Sequence, residues 1–176
     1  GAVRFISGTY APHIELEETL ARFHGREAAM IFSSAYAAML GVFTPLVSEE
    51  TALVSDALNH NCIINAIKLA RPKEKRVYRH NDVGELDARL TEVEGCRRAL
   101  VVTDGIFSMR GDEAPLPAIF AAARKHDAAF PENVVVIVDD SHGVGAFGAT
   151  GRGTEEASGS GPADVLIGTL GKAFGV

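Results

Sequence analysis

Apolar residues along this chain fall into two kinds of pattern, short uninterrupted runs and longer stretches in which they recur every three or four positions. Residues 134–138 read VVVIV, and shorter runs of the same character lie at 51–55, 99–103 and 165–168. A run of that length with no polar alternation suits a strand buried on both faces. Residues 28–32 and, more weakly, 76–78 are further strand candidates. Between the runs the period lengthens. Residues 13–23 (HIELEETLARF) follow Pro12, bring Ile14, Leu16, Leu20 and Phe23 near one face and stop at Gly25, as an amphipathic helix does. Helices are likewise expected over 36–47, from the DALNH turn at 56–60 through 69, over 82–93 with Asp82 as its cap and Leu86, Leu90 and Val93 on one stripe, and over 116–125 with Ile119 and Phe120 inward. Residues 104–112 and the glycine-rich stretch 143–162 read as loops. Strands alternating with helices at this spacing predict an α/β fold of three layers, αβα, with a mostly parallel sheet.

Composition adds bounds rather than direction. The 176 residues suffice for about one domain with its own core, and 47% apolar and 23% charged residues are ordinary for a globular chain. Net charge is -6 with both signs interspersed, so no basic face invites nucleic acid and no basic amphipathic or spanning segment invites a membrane. Cys62 and Cys96 form no CxxC pair, which argues against structural zinc or a disulfide framework and fits a reducing cytoplasm. The chain opens on Gly1 and ends four residues after Lys172, and a piece of a longer polypeptide is expected.

Ligands of parallel sheets sit beyond the carboxyl ends of the strands, so the residues just after each run carry the functional argument. They are Ser33, Ser34, Ala35 and Tyr36; His60; Asp104 and Ser108; Asp139 and His142; Thr169 and Lys172. Lys172, fenced by glycines, is a phosphate-binding point charge, an amine nucleophilic toward carbonyls, or a plain surface lysine. As a set the residues supply hydroxyls and a helix start for phosphate, a carboxylate, imidazoles and an amine, the parts that hold pyridoxal phosphate. Asp139, leaving an apolar strand, suits a protonated pyridine nitrogen, because a buried carboxylate without a cation is costly. Blander readings stand beside these. His60 can be a helix-start histidine with a local hydrogen bond. Asp139, Asp140 and His142 can be metal ligands. Gly143, Gly145 and Gly148 match GxGxxG, although DDSH intervenes after the strand and no helix is expected to follow. Cys62 reads as core, and His13, His24, His80 and His126 read mostly as surface.

The segments SSAYAA (33–38), DALNH (56–60), TDGIFSMRGD (103–112), VDDSHGVGAFGATGRG (138–153) and GTLGKAFG (168–175) together resemble the ordered motifs of the α-oxoamine synthases. These are fold type I enzymes that use pyridoxal phosphate to condense an amino acid with an acyl-CoA. The resemblance implies a sheet of about seven strands and a partial large, cofactor-binding domain over 1–176, without the small carboxyl-terminal domain. It implies a Schiff base at Lys172, which then serves as base at the substrate Cα. Asp139 would face the pyridine nitrogen, His142 with Ser108 the ring hydroxyl, and His60 the ring face and the substrate. The N–H groups of Ala35 and Tyr36, with the Thr169 hydroxyl, would hold the phosphate, and His13 would approach substrate. A homodimer with a shared active site is implied too, and the segment alone should be a poor catalyst. Asp104 and GTLGK lean toward the 2-amino-3-ketobutyrate CoA ligase branch, with glycine as the amino acid, over the 8-amino-7-oxononanoate synthase branch. An aminotransferase of the same fold and a non-catalytic module that keeps the fold are the alternatives.

Overall fold

A computed structural model describes residues 3–176, which fall into two units, one running to Ser33 and the other from Ser34 to Val176. In the first unit a single turn of helix, α1 (Arg4–Ser7), precedes α2 (Ala11–His24). Pro12 sits in the first turn of α2, where its missing N–H costs nothing, and Gly25 ends the helix in the left-handed conformation at φ 62°. Glu17 ties this unit together. It pairs with Arg4 at 2.6 Å, and its Oε1 accepts the Ile31 N–H at 2.9 Å. The expected strand over 28–32 is therefore not formed. Its backbone bonds a carboxylate instead of a ladder, and Met30 and Phe32 are exposed rather than buried.

The second unit alternates helix and strand: α3 (Ala35–Leu46), β1 (Thr51–Asp56), α4 (Asn61–Ala70), β2 (Glu74–Tyr78), α5 (Val83–Glu92), β3 (Arg98–Asp104), α6 (Leu116–His126), β4 (Val134–Asp139), α7 (Thr154–Ser158) and β5 (Val165–Ile167). All pairings are parallel and the order across the sheet is β2-β1-β3-β4-β5. The described residues thus hold five strands where about seven are expected. β2 begins two residues before the expected strand, because it is the edge strand of the sheet and tolerates polar residues such as Glu74 and Lys75. α7 lies inside what reads as glycine-rich loop.

Alternation along the strands sends side chains to opposite faces, and both faces are covered. Ala52, Val54, Ala99, Val101, Val136 and Val138 join a core with Leu86 and Leu90 of α5 and Leu116 and Ile119 of α6. Leu53, Leu100, Val102, Ile137 and Ile167 join a second core with Met39 and Phe43 of α3 and Ile63 and Ile67 of α4. The αβα sandwich follows from this division. Caps fix where the helices begin: Ser34 Oγ accepts the Ala37 N–H, and Asp82 Oδ1 accepts the Glu85 N–H as expected from the sequence. Two of the histidines read as surface are not. His126 is buried between Asp87 and Glu94, and His80 is half-buried between Asp56 and Asp112. Among the described residues no helix is long and apolar enough to cross a membrane.

Leu100, fully buried at the centre of the sheet, tests this core. Leu100→Ala is expected to lower the unfolding free energy by about 3 kcal/mol, read as a lower urea midpoint at unchanged slope.

Candidate active site

β1, β3 and β4 end side by side on carboxylates, Asp56, Asp104 and Asp139, with Asp104 and Asp139 facing partners in the ladder. The turn after β1 is fastened by Asn59, whose buried amide donates to Ser55 Oγ and to the Val102 carbonyl while its oxygen accepts the Asp104 N–H. His60 follows and caps α4, its Nδ1 accepting the Cys62 N–H at 3.2 Å. The local role allowed for His60 is real, and the same residue lines a cleft.

That cleft brings together every residue expected from the sequence to hold the cofactor. Ala35 and Tyr36 enter from the first turn of α3, and His60 from the start of α4. Ser108 comes from the loop after β3, Asp139 and His142 from the end of β4, and Thr169 and Lys172 from the turn after β5. Lys172 Nζ donates to His142 Nε2 at 2.8 Å. Burial, followed by the neighbouring Lys172, holds the His142 pKa below the usual imidazole value, which suits a neutral ring accepting at Nε2. Asp139 is buried; its Oδ1 accepts the Ser141 N–H, its Oδ2 lies 3.5 Å from the Cys62 thiol, and no cation pairs with it among the described residues. His13 lies in the first unit, where its Nδ1 accepts the Tyr10 N–H at the start of α2.

Three lining residues fall outside the set assigned to the cofactor: Cys62, Asp104 and Ser141. Cys62 is indeed buried, and burial with the nearby Asp139 pushes its thiol up to about 12, so it is a neutral donor and no nucleophile. Asp104 is pushed up to about 8 by burial and then by Asp139, although its Oδ2 accepts the His60 N–H at 3.0 Å. Its position at a strand end was a sufficient signal. Ser141, inside DDSH, carries no periodic signal.

Asp140 works on different partners from Asp139. It is fully buried, its Oδ2 accepts the Thr154 N–H at 2.8 Å, and burial raises its pKa to about 6. Gly143 and Gly153 pack so tightly on this carboxylate that a Cβ at either would overlap it, and Gly153 holds φ 95°. The glycines of this segment therefore seat a carboxylate and a chain of turns. The only helix that follows is the short α7, so a dinucleotide fingerprint is not formed. Among the described residues no group of three His, Cys, Asp or Glu side chains is placed to hold a metal.

The model of the family described as aminotransferase class I and II matches residues 2–176. The chain belongs to that family. Within it the relatives are α-oxoamine synthases. The chain is 46% identical over its whole length to the 8-amino-7-oxononanoate synthase of Thermosipho melanesiensis, spanning 44% of that protein. It is equally 46% identical, over 99% of its length, to the 2-amino-3-ketobutyrate coenzyme A ligase of Escherichia coli, spanning 43% of it. A serine palmitoyltransferase of S. paucimobilis, solved with a bound PLP-myriocin aldimine, superposes with a TM-score of 0.88 at 34% identity, covering 100% of this chain and 43% of that one. The chain thus spans less than half the length of these α-oxoamine synthases, and three reactions are represented among them.

Asp104 makes the cleft pH-sensitive. Its folded pKa, about 8, lies above the ordinary 3.8, so between those values the folded state holds a proton that the unfolded state has lost. Stability of the ligand-free protein should then fall as pH rises from near 3.8 to about 8. Asp104→Asn removes that slope and should be most stabilising at and above pH 8, as read by urea midpoints across the range.

Proposed function

We propose that this chain is the cofactor-binding part of a pyridoxal-phosphate acyltransferase that condenses an amino acid with an acyl-CoA to give an α-amino ketone. One observation carries the reading: an amine on an imidazole, Lys172 on His142, shares a cleft with Asp139, a buried carboxylate that pairs with no cation among the described residues. A protonated pyridine nitrogen is the cation such a carboxylate needs, so the donor set fits the cofactor. The chemistry the cofactor supplies when bound is an electron sink for the charge left at the substrate Cα.

The residues divide the remaining work. Asp139 holds the ring nitrogen protonated, and His142 with Ser108 meets the ring hydroxyl. His60, whose ring is exposed to the cleft, covers the ring face and orients the substrate. The N–H groups of Ala35 and Tyr36, in the first turn of α3 where intrahelical partners are lacking, would hold the phosphate together with the Thr169 hydroxyl, which lines the same cleft. Lys172 Nζ would hold the cofactor through its carbonyl carbon and, when free, would be the base placed to take the proton from the substrate Cα. His142 Nε2 is placed to accept a hydrogen bond from that amine while it is free.

Asp104 and the GTLGK turn support a reaction like that of 2-amino-3-ketobutyrate CoA ligase, with glycine as the amino acid; the 8-amino-7-oxononanoate synthase reaction is the nearest alternative. No arginine lines the cleft among the described residues, so the substrate carboxylate is to be met from elsewhere, by a carboxyl-terminal domain or by the second subunit of a homodimer.

Adding pyridoxal phosphate to the protein should give a Schiff-base absorbance band that borohydride fixes at Lys172. Lys172→Ala should lose the band, and with it at least about 10³-fold of any turnover. Release of free CoA thiol from an acyl-CoA in the presence of glycine, with no amine transfer to a keto acid, is the expected activity. A wild-type spectrum unchanged by the cofactor, or a band that survives in Lys172→Ala, would overturn the assignment.

A further inference from the structure

His80 lies where two cleft loops meet, in the turn that follows β2. Its side chain is only 15% exposed. Nδ1 stands 3.1 Å from Asp56 Oδ1, Nε2 stands 2.9 Å from Asp112 Oδ2, and Phe107 meets the ring edge-on at 4.3 Å between centroids. Neither His80 nor either carboxylate lines the cleft.

Both carboxylates govern segments that do. Asp56, with its side chain wholly buried, also accepts the Leu58 N–H at 2.8 Å and the Asn81 N–H at 2.8 Å, so it shapes the turn that delivers His60. Asp112 closes the loop after β3. Its carbonyl accepts the Phe107 N–H, the Gly111 N–H returns to the Phe107 carbonyl, and Ser108 sits inside that loop. Asn81 adds a bond from its side-chain amide to the Glu113 carbonyl at 3.1 Å. The 79–82 turn is thus stitched to β1 on one side and to the Ser108 loop on the other.

We propose that His80 is a positioning residue: held between Asp56 and Asp112, it fixes the loop of residues 105–113, and Ser108 with it, against the turn that carries His60. Only its consequence for cofactor binding rests on the function proposed above; the clamp does not.

The chemistry of the ring makes the clamp depend on protonation. Only the imidazolium has an N–H for each carboxylate, and a neutral ring turns a lone pair toward one of them. The charged groups facing it are Asp56 from β1, Asp112 and its partner Arg110 from the loop, and, through Asp56, the neighbouring Asp104 at the end of β3. Burial opposes the charge on His80, but the hydrogen bonds to Asp112 and Asp56 outweigh it and raise the pKa above 6.5. A raised histidine pKa contributes stability that is fully present below 6.5 and is lost as pH rises through the folded value.

The test is hydrogen exchange of the loop, expressed as protection factors so that intrinsic pH effects cancel, together with titration of pyridoxal phosphate. In the wild-type protein, protection of 105–113 should decline as pH is raised from about 6 to about 9 while β3 and β4 stay protected. His80→Gln should lower loop protection on the order of tenfold and weaken cofactor binding by a similar factor. Asp112→Asn, whose amide can donate to the neutral ring, should flatten the pH dependence; it decides the matter even where His80→Gln loosens the whole domain. Wild-type loop protection in His80→Gln, or an unaltered pH profile in Asp112→Asn, overturns the proposal. Failure of the wild-type protein to bind pyridoxal phosphate sinks the cofactor reading instead and leaves the exchange result standing.

Discussion

A parallel sheet ends its strands together, and in this chain three adjacent strands end on acids. Asp104 and Asp139 are ladder partners, both buried, with the Asp56 carboxylate in the next strand. Water cannot screen such a row, so each carboxylate must find donors, take up a proton or wait for a cation. The three do so differently. Asp56 accepts two backbone N–H groups and faces His80; Asp104 keeps one backbone donor and is driven toward the protonated form; Asp139 has a backbone N–H and a thiol. Asp104 and Asp139 both line the cleft, and among the described residues no cation pairs with Asp139 there.

Loops from α3, β1, β3, β4 and β5 all reach the same edge because all five strands run the same way, and no loop has to cross the sheet to do so. Asn59 makes the approach rigid between β1 and β3 by continuing the ladder with a side-chain amide that uses both donors and its acceptor. Asp140, one residue beyond Asp139, turns its carboxylate toward Thr154 and the glycines instead, so of two consecutive acids one lines the cleft and the other anchors a loop.

Much of this was legible in the letters, for a physical reason. A doubly covered parallel strand must be apolar throughout, so 134–138 announces itself, and its first polar residue must then lie at the sheet edge where ligands bind. That logic finds Asp139, and it finds Lys172 after β5. It fails where apolarity and structure part company. The run at 28–32 is as apolar as a strand, yet Ile31 donates to Glu17 and Met30 is exposed; β2 is polar at its start because one edge is solvated; α7 is too short and too flanked by glycine to show a period. Histidines were the least readable residues. A histidine's position depends on distant acids, and Asp56 and Asp112 lie 24 and 32 residues from His80.

That dependence says something about how the cleft is built. The residues that touch it come from short turns that have little apolar surface of their own to hold them, and Ser108, His60 and Lys172 are all exposed. Their precision has to be borrowed from buried polar contacts set one layer back. Asn59 stands behind His60, His80 with Asp112 behind Ser108, and Asp140 with Thr154 behind His142. Each of these contacts joins segments far apart in sequence, and two of the three include a group whose pKa its surroundings raise, His80 through its carboxylate partners and Asp140 through burial. The exposed residues decide what chemistry is available, whereas the buried layer decides whether they stand close enough together to perform it.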